Sequence, residues 1–185
     1  MMPITFIYFY VKTVDPISPC TDPNWMLLFI DGDRNKGTGW EGYDYVVNLG
    51  VTSATQTTLK QWTGSAWGNA VTVTYKVVGN EMELSIPRSS LLMTTGTPEF
   101  YFHWSDNPQQ LNDISAFFTD GDSAPDRRFN YNFSTSKIVP VNGDVLLLLR
   151  FAEANIVSNF SGVEDGNGEL RHEIPVAGVA CKQTG

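Results

Sequence analysis

The chain has 185 residues, 42% hydrophobic and 12% aromatic but only 17% charged, with a net charge of −8 and a pI near 4.6. That length suits one domain with a proper core, or one domain plus an appended tail. The acidic balance argues against nucleic acid and anionic membranes as partners, which need Lys and Arg to neutralise phosphate, and the strongest apolar run, VLLLL at 145–149, is strand-sized and too short to span a bilayer as a helix.

In chain order, residues 4–13 (ITFIYFYVKT) are aromatic and β-branched and predict a strand, closed by the Pro-rich loop DPISPCTDPN. The opening MMPITFIYFYVKT has neither the basic segment nor the small-residue cleavage site of a signal peptide. Residues 25–31 (WMLLFID) form a near-continuous apolar run, as expected of a strand covered on both faces, with Trp25 heading for the core. A polar, Gly-rich turn at 32–42 leads to strands at 43–49 and 54–62 and to a hairpin turn around Gly64 and Ser65. Residues 71–78 (VTVTYKVV) and 81–86 (EMELSI) alternate, the second with Met82, Leu84 and Ile86 on one face. Pro87 ends that strand, and residues 87–93 are the helix candidate, with Pro at the first position. Residues 99–105 (EFYFHWS), 114–119 (ISAFFT) and 127–134 (RRFNYNFS) continue the strand texture. After residue 134 the texture changes: a linker-like stretch, a strand at 145–151, a long acidic loop and a last strand around 172–176. The pattern predicts an all-β antiparallel β-sandwich, immunoglobulin-like or jelly-roll in type, with at most one short helix, over residues 1–134, and a tail at 135–185 that completes the sheet or is an adjunct.

The stretch GTGWEG, with Gly37, Gly39 and Gly42, fits the dinucleotide pattern G-x-G-x-x-G by letter. A phosphate cradle needs a helix after the glycines, and YDYVVN favours a strand instead; Asp31, Asp33, Glu41 and Asp44 would also repel phosphate. The start of the same turn places Asp31, Asp33 and Asn35 in a D-x-D-x-N spacing suited to calcium, although the twelfth position is Gly42 and Glu41 falls one short. His103 and His172 lie far apart, His103 on an alternating strand where it would face solvent or a groove, and no HExxH or G-x-S-x-G motif is present, so no catalytic residue is assigned. Cys20 and Cys181 would make one bridge if their Cα atoms are close, and Asn132 and Asn159 each begin a glycosylation sequon.

The richer signal is aromatic. Trp40 sits in the Gly-rich turn, Trp62 and Trp67 flank the hairpin turn, and Trp104 precedes the polar loop 105–110. A flat ring beside amides and acids stacks on a sugar's apolar face while the polar groups bond its hydroxyls. Trp40, Trp67 and Trp104 are therefore the candidate platforms, with Asp106, Asn107 and Gln109 as polar partners and a poly- or oligosaccharide as ligand.

The segments YFYVKTVDPISP, TDPNWMLLFIDGDRNKGTGWEGYDYVVN, NEMELSIPRSSL, FHWSDN and GDSAPDRRFNYNF together resemble the sugar-binding β-sandwich domains related to family 9 carbohydrate-binding modules and DOMON domains, over residues 6–133. The resemblance implies noncatalytic carbohydrate recognition, attachment to secreted glycoside hydrolases, an extracellular or cell-envelope location and, in some members, structural calcium. In such domains GTGWEGYDY looks like a connection between neighbouring strands. Relatives carry further strands before YFYVKT, and Cys20 and Ala116 stand where an aromatic and an acid are expected. The DOMON branch includes haem binders, but no Met and His ligand pair is assignable here.

Overall fold

Phe6–Lys12, the first strand (β1), shows why this chain builds sheet: Ile7, Phe9 and Val11 are buried while Phe6 and Tyr8 stay exposed, the period-two pattern of an extended backbone, with Tyr10 on the other face also covered. The computed structural model describes residues 6–134, together with the backbone of 149–150 and 159–160. Within the first span the further strands are β2 (Leu27–Asp31), β3 (Tyr45–Val47), β4 (Gln56–Trp62), β5 (Trp67–Val78), β6 (Glu81–Pro87), β7 (Glu99–Asp106), β8 (Asp122–Ala124) and β9 (Tyr131–Ser134). Met82, Leu84 and Ile86 of β6 are buried as their alternation predicts. After Pro87 a single 3-10 turn, Arg88–Leu91, occupies the expected helix position and closes on Leu92 in the left-handed region.

All pairings are antiparallel, and the strands form one nine-stranded sheet in the order β1-β6-β5-β4-β3-β2-β7-β8, with β9 pairing the other half of β7. The all-β antiparallel class is as expected, but its layers belong to one continuous, curled sheet. Curling brings the β1 end over the β7 end: Phe9 meets Phe100 and Phe102 at ring-centroid distances of 5.6 and 5.5 Å. The main core lies inside this curl and draws buried residues from β1 through β7.

A second, smaller core covers the outside of β2. Leu28 and Ile30 face the main core, whereas Leu27 and Phe29 point the other way and pack with Tyr43, Val46 and Phe117. Burial on both faces explains the unbroken apolar run. Phe117 belongs to α1 (Ala116–Thr119), a short helix where the sequence pattern suggests strand. Four residues cannot sustain a helix alone. This one is started by Asp113, whose Oδ1 accepts from Ser115 N at 2.8 Å and from Ser115 Oγ at 2.6 Å, and is held by Phe117 against Phe29 at 4.9 Å.

Beyond residue 134, Leu149–Arg150 (β10) pairs antiparallel with Asn159–Phe160 (β11), the former inside the expected strand at 145–151. The expected strand at 172–176, His172 and Cys181 lie outside the described residues; Cys20 is disulfide-bonded. No helix among the described residues is long and apolar enough to cross a membrane.

Candidate functional site

The turn between β2 and β3 gathers three carboxylates. Asp31 is the last residue of β2, Asp33 follows two residues on, and Asp44 returns beside them because its N–H bonds the Ile30 carbonyl at 2.9 Å. One oxygen from each lies within 4.8 Å of the others, so Asp31, Asp33 and Asp44 could hold a metal ion. Backbone N–H groups hold the cluster in place: Asn35 N donates to Asp31 Oδ1 at 3.1 Å and Asp33 Oδ1 at 2.8 Å, and Gly32 N to Asp44 Oδ2 at 2.8 Å. Asp31 is 0% exposed, and its Oδ2 is buried with no hydrogen-bond partner. Burial, with Asp33 and Asp44 nearby, lifts its pKa to about 6, and burial raises that of Asp44 as well. An unsatisfied buried carboxylate oxygen beside two further carboxylates is the donor chemistry of a hard cation.

Asp31 and Asp33 are two of the three ligands read from sequence. The Asn35 side chain lies in the same turn, where its Oδ1 accepts from Gly37 N at 3.0 Å. Asp44 is the third carboxylate of the cluster and was not among the ligands read from sequence. It escapes a contiguous loop motif because it arrives through the return of the chain into β3, and the clue was its position at the end of the glycine turn.

The glycines serve that return. Gly39 has φ +70°, and a Cβ there would overlap the Tyr43 carbonyl, because Trp40 and Tyr43 exchange N–H···O bonds of 2.8 and 2.9 Å across the turn. With β3 and no helix following, GTGWEG is a strand connection, as the residues after it imply. The turn is tied to the segment before β9 by Arg128 to Glu41 at 3.2 Å and by Tyr43 Oη, which donates to Asn130 Oδ1 at 2.8 Å.

The tryptophans divide into two groups. Trp40, Trp62 and Trp67 are half-buried and contiguous, with Trp62 and Trp67 edge to face at 5.2 Å and Trp40 at 6.0 Å from Trp67. Trp40 also stacks on Phe29 at 5.6 Å, so it backs the group while remaining partly open. Trp104 is a correction: it is 0% exposed in the main core and offers no face to a ligand. Alternation along β7 sends Phe100, Phe102 and Trp104 inward together. Trp62, which flanks the hairpin but was not among the expected platforms, takes its place beside Trp67.

The expected polar partners form a separate patch. Asn107 and Gln109 are exposed; Gln109 Nε2 donates to Asn107 Oδ1 at 3.2 Å, and Asn24 Nδ2 to Gln109 Oε1 at 3.4 Å. Asp106, paired with Asp122 across β7 and β8, is raised to about 6 by burial first and then by Asp122, with Asp22 adding a smaller effect. His103, expected at solvent or in a groove, is buried at 1% exposure. Its ring lies 6.0 Å from Tyr43 and 6.4 Å from Phe117, its Nδ1 stands 3.0 Å from the Phe129 carbonyl, and burial lowers its pKa to about 4.

No protein-family model, curated protein or solved structure matches this chain. What the fold and the site define is therefore an all-β protein with a candidate metal triad at one strand turn and a partly open tryptophan cluster beside it.

Proposed function

We propose that this domain is a noncatalytic carbohydrate-binding module that meets a poly- or oligosaccharide through Trp62 and Trp67, with Trp40 behind them. The observation that carries the reading is the contiguity of three half-buried indoles on the outside of the curled sheet, since large aromatics that remain partly open together mark a contact surface. The rings stack on the C–H face of a sugar, and no bond is made or broken. The all-oxygen triad suits calcium, which would hold the turn that also carries Trp40. The resemblance to family 9 carbohydrate-binding modules supports the ligand class and an extracellular setting.

The test is retention on insoluble cellulose and xylan and binding to soluble glycans, with and without chelator. The module predicts retention without released product, at least about tenfold weaker in Trp62→Ala and Trp67→Ala. Release of soluble sugar would instead favour a small hydrolase, for which Asp106, raised to about 6 beside Asp122, is the residue to examine. Failure of every glycan to bind would favour a structural or interaction domain, a reading supported by the full burial of Trp25 and Trp104.

A further inference from the structure

β1 is the last strand of the nine-stranded sheet, next to β6, and their ladder fixes which way its backbone groups point. The ladder continues past the pair Lys12↔Glu81 to Thr13, whose N–H donates to the Asn80 carbonyl at 2.9 Å. Antiparallel bonds to one neighbour recur at every second residue, so Val11, Phe9 and Ile7 also bond toward β6. Phe6 stands opposite Pro87, which has no N–H, in agreement with that phase. The N–H and C=O groups of Phe6, Tyr8, Tyr10 and Lys12 therefore point away from the sheet. Such a row is a template for one more strand.

Two observations name the strand that fits this edge. The first is β10, Leu149–Arg150, whose Cα atoms come within 8 Å of β1. Stacked sheets stand about 10 Å apart and neighbouring strands about 5 Å, so β10 runs beside β1 and not over its face. It belongs to the apolar run VLLLLRF at 145–151, which has the length and composition of a strand. The second is Cys20, in the loop that follows β1, which is disulfide-bonded. The chain has two cysteines, so the partner it can supply is Cys181, near the end of the same tail.

We propose that the tail after β9 is a strap for this edge: residues 145–151 dock along β1 as a further strand, and a Cys20–Cys181 bridge ties the end of the strap to the loop leaving β1. The rival occupant is a strand from a second copy of the chain. Two copies each carry a net charge of −8, which opposes their approach, whereas a tethered segment is held near the edge by the chain itself. The strap does not depend on the carbohydrate reading.

Hydrogen exchange of the full chain, read residue by residue by NMR, tests the docking. The comparison is with Leu148→Pro/Leu149→Pro, in which one of two successive prolines must fall where an N–H would bond to β1. The Tyr8 and Tyr10 amides should exchange at least about tenfold more slowly in the parent than in this variant. The Ile7, Phe9 and Val11 amides, bonded to β6, should be slow in both and report that the variant is folded. Peptide mapping without reduction should recover Cys20 joined to Cys181 in a monomer. Cys181→Ser should lower the melting temperature by at least about 4 °C, because the bridge closes a loop of about 160 residues. Equal exchange of Tyr8 and Tyr10 in the parent and the proline variant, whether fast or slow, would overturn the docking. Cys20 recovered as a free thiol, or joined to Cys20 of a second copy, would overturn the strap.

Discussion

Phe9 on β1 packs edge-on against Phe102 on β7, their rings 5.5 Å apart at 77°, although β6, β5, β4, β3 and β2 lie between the two strands in the hydrogen-bonded order. This contact, with Phe100 beside it, ties the two ends of the curled sheet. Phe9→Ala should therefore cost about 3–5 kcal/mol in urea unfolding. Tyr8→Ala, next along the same strand but 47% exposed, should cost within about 1 kcal/mol. Equal costs would mean that the ends are not joined through this core.

Trp104 separates packing from recognition. Its indole is fully buried and its Nε1 has no hydrogen-bond partner. Trp104→Phe removes that unmet N–H along with some packing volume and should destabilise by less than about 2 kcal/mol, against about 3–5 for Trp104→Ala. Retention of the Phe variant on polysaccharide should match the parent protein, while Trp67→Ala loses it. A selective binding defect in folded Trp104→Phe would show that this ring reaches the ligand.

Asp31 sets a pH signature for the triad. Its folded pKa of about 6 lies above the ordinary 3.8, so the folded state holds the proton more tightly and, without metal, this group makes the domain more stable as pH falls from about 6 toward 4. Calcium needs the carboxylate and should act in the opposite sense. At pH 7 a hundredfold excess of calcium over its dissociation constant should add about 2.7 kcal/mol of stability, and the increment should fade below about pH 6. Asp31→Asn should abolish the calcium response and, in chelator at pH 7, melt no lower than the parent. A melting temperature indifferent to calcium at pH 7 would remove the metal from the proposal.

His103 titrates with the opposite slope. Its folded pKa of about 4, below the ordinary 6.5, means that the buried neutral ring contributes stability above about pH 6.5 and loses it as pH falls toward 4. Imidazole nitrogen shifts should report a neutral ring down to about pH 4. Because Asp31 and His103 oppose each other between about pH 4 and 6, the parent's acid limb should look flatter than that of Asp31→Asn, which unmasks the histidine. Titration of His103 near 6.5 would mean that the ring is not sealed beneath Tyr43 and Phe117.

Much of this architecture was legible locally. The aromatic, β-branched run FIYFYVK identifies a strand, and alternation in EMELSIP identifies both a strand and its inward face, because side-chain direction reverses at every residue of an extended chain whatever surrounds it. Asp31 and Asp33 were legible for the same reason, as neighbours in one turn. Asp44 and α1 were not. Asp44 joins its partners through the pairing of β2 with β3, and residues 116–119 turn helical because Phe117 has a place against Phe29, which no local propensity encodes.

The sequence by itself determined that this is an all-β, antiparallel chain, where most of its strands lie, and that acidic and aromatic groups sit in its turns, since alternation, proline and glycine act on the residues next to them. Only the tertiary structure decided that one sheet curls on itself, that Trp104 is core while Trp62 and Trp67 stay partly open, and that Asp44 completes the triad. Those outcomes depend on which surfaces meet across many strands, and a residue's exposure is set by what covers it and not by its neighbours in the chain.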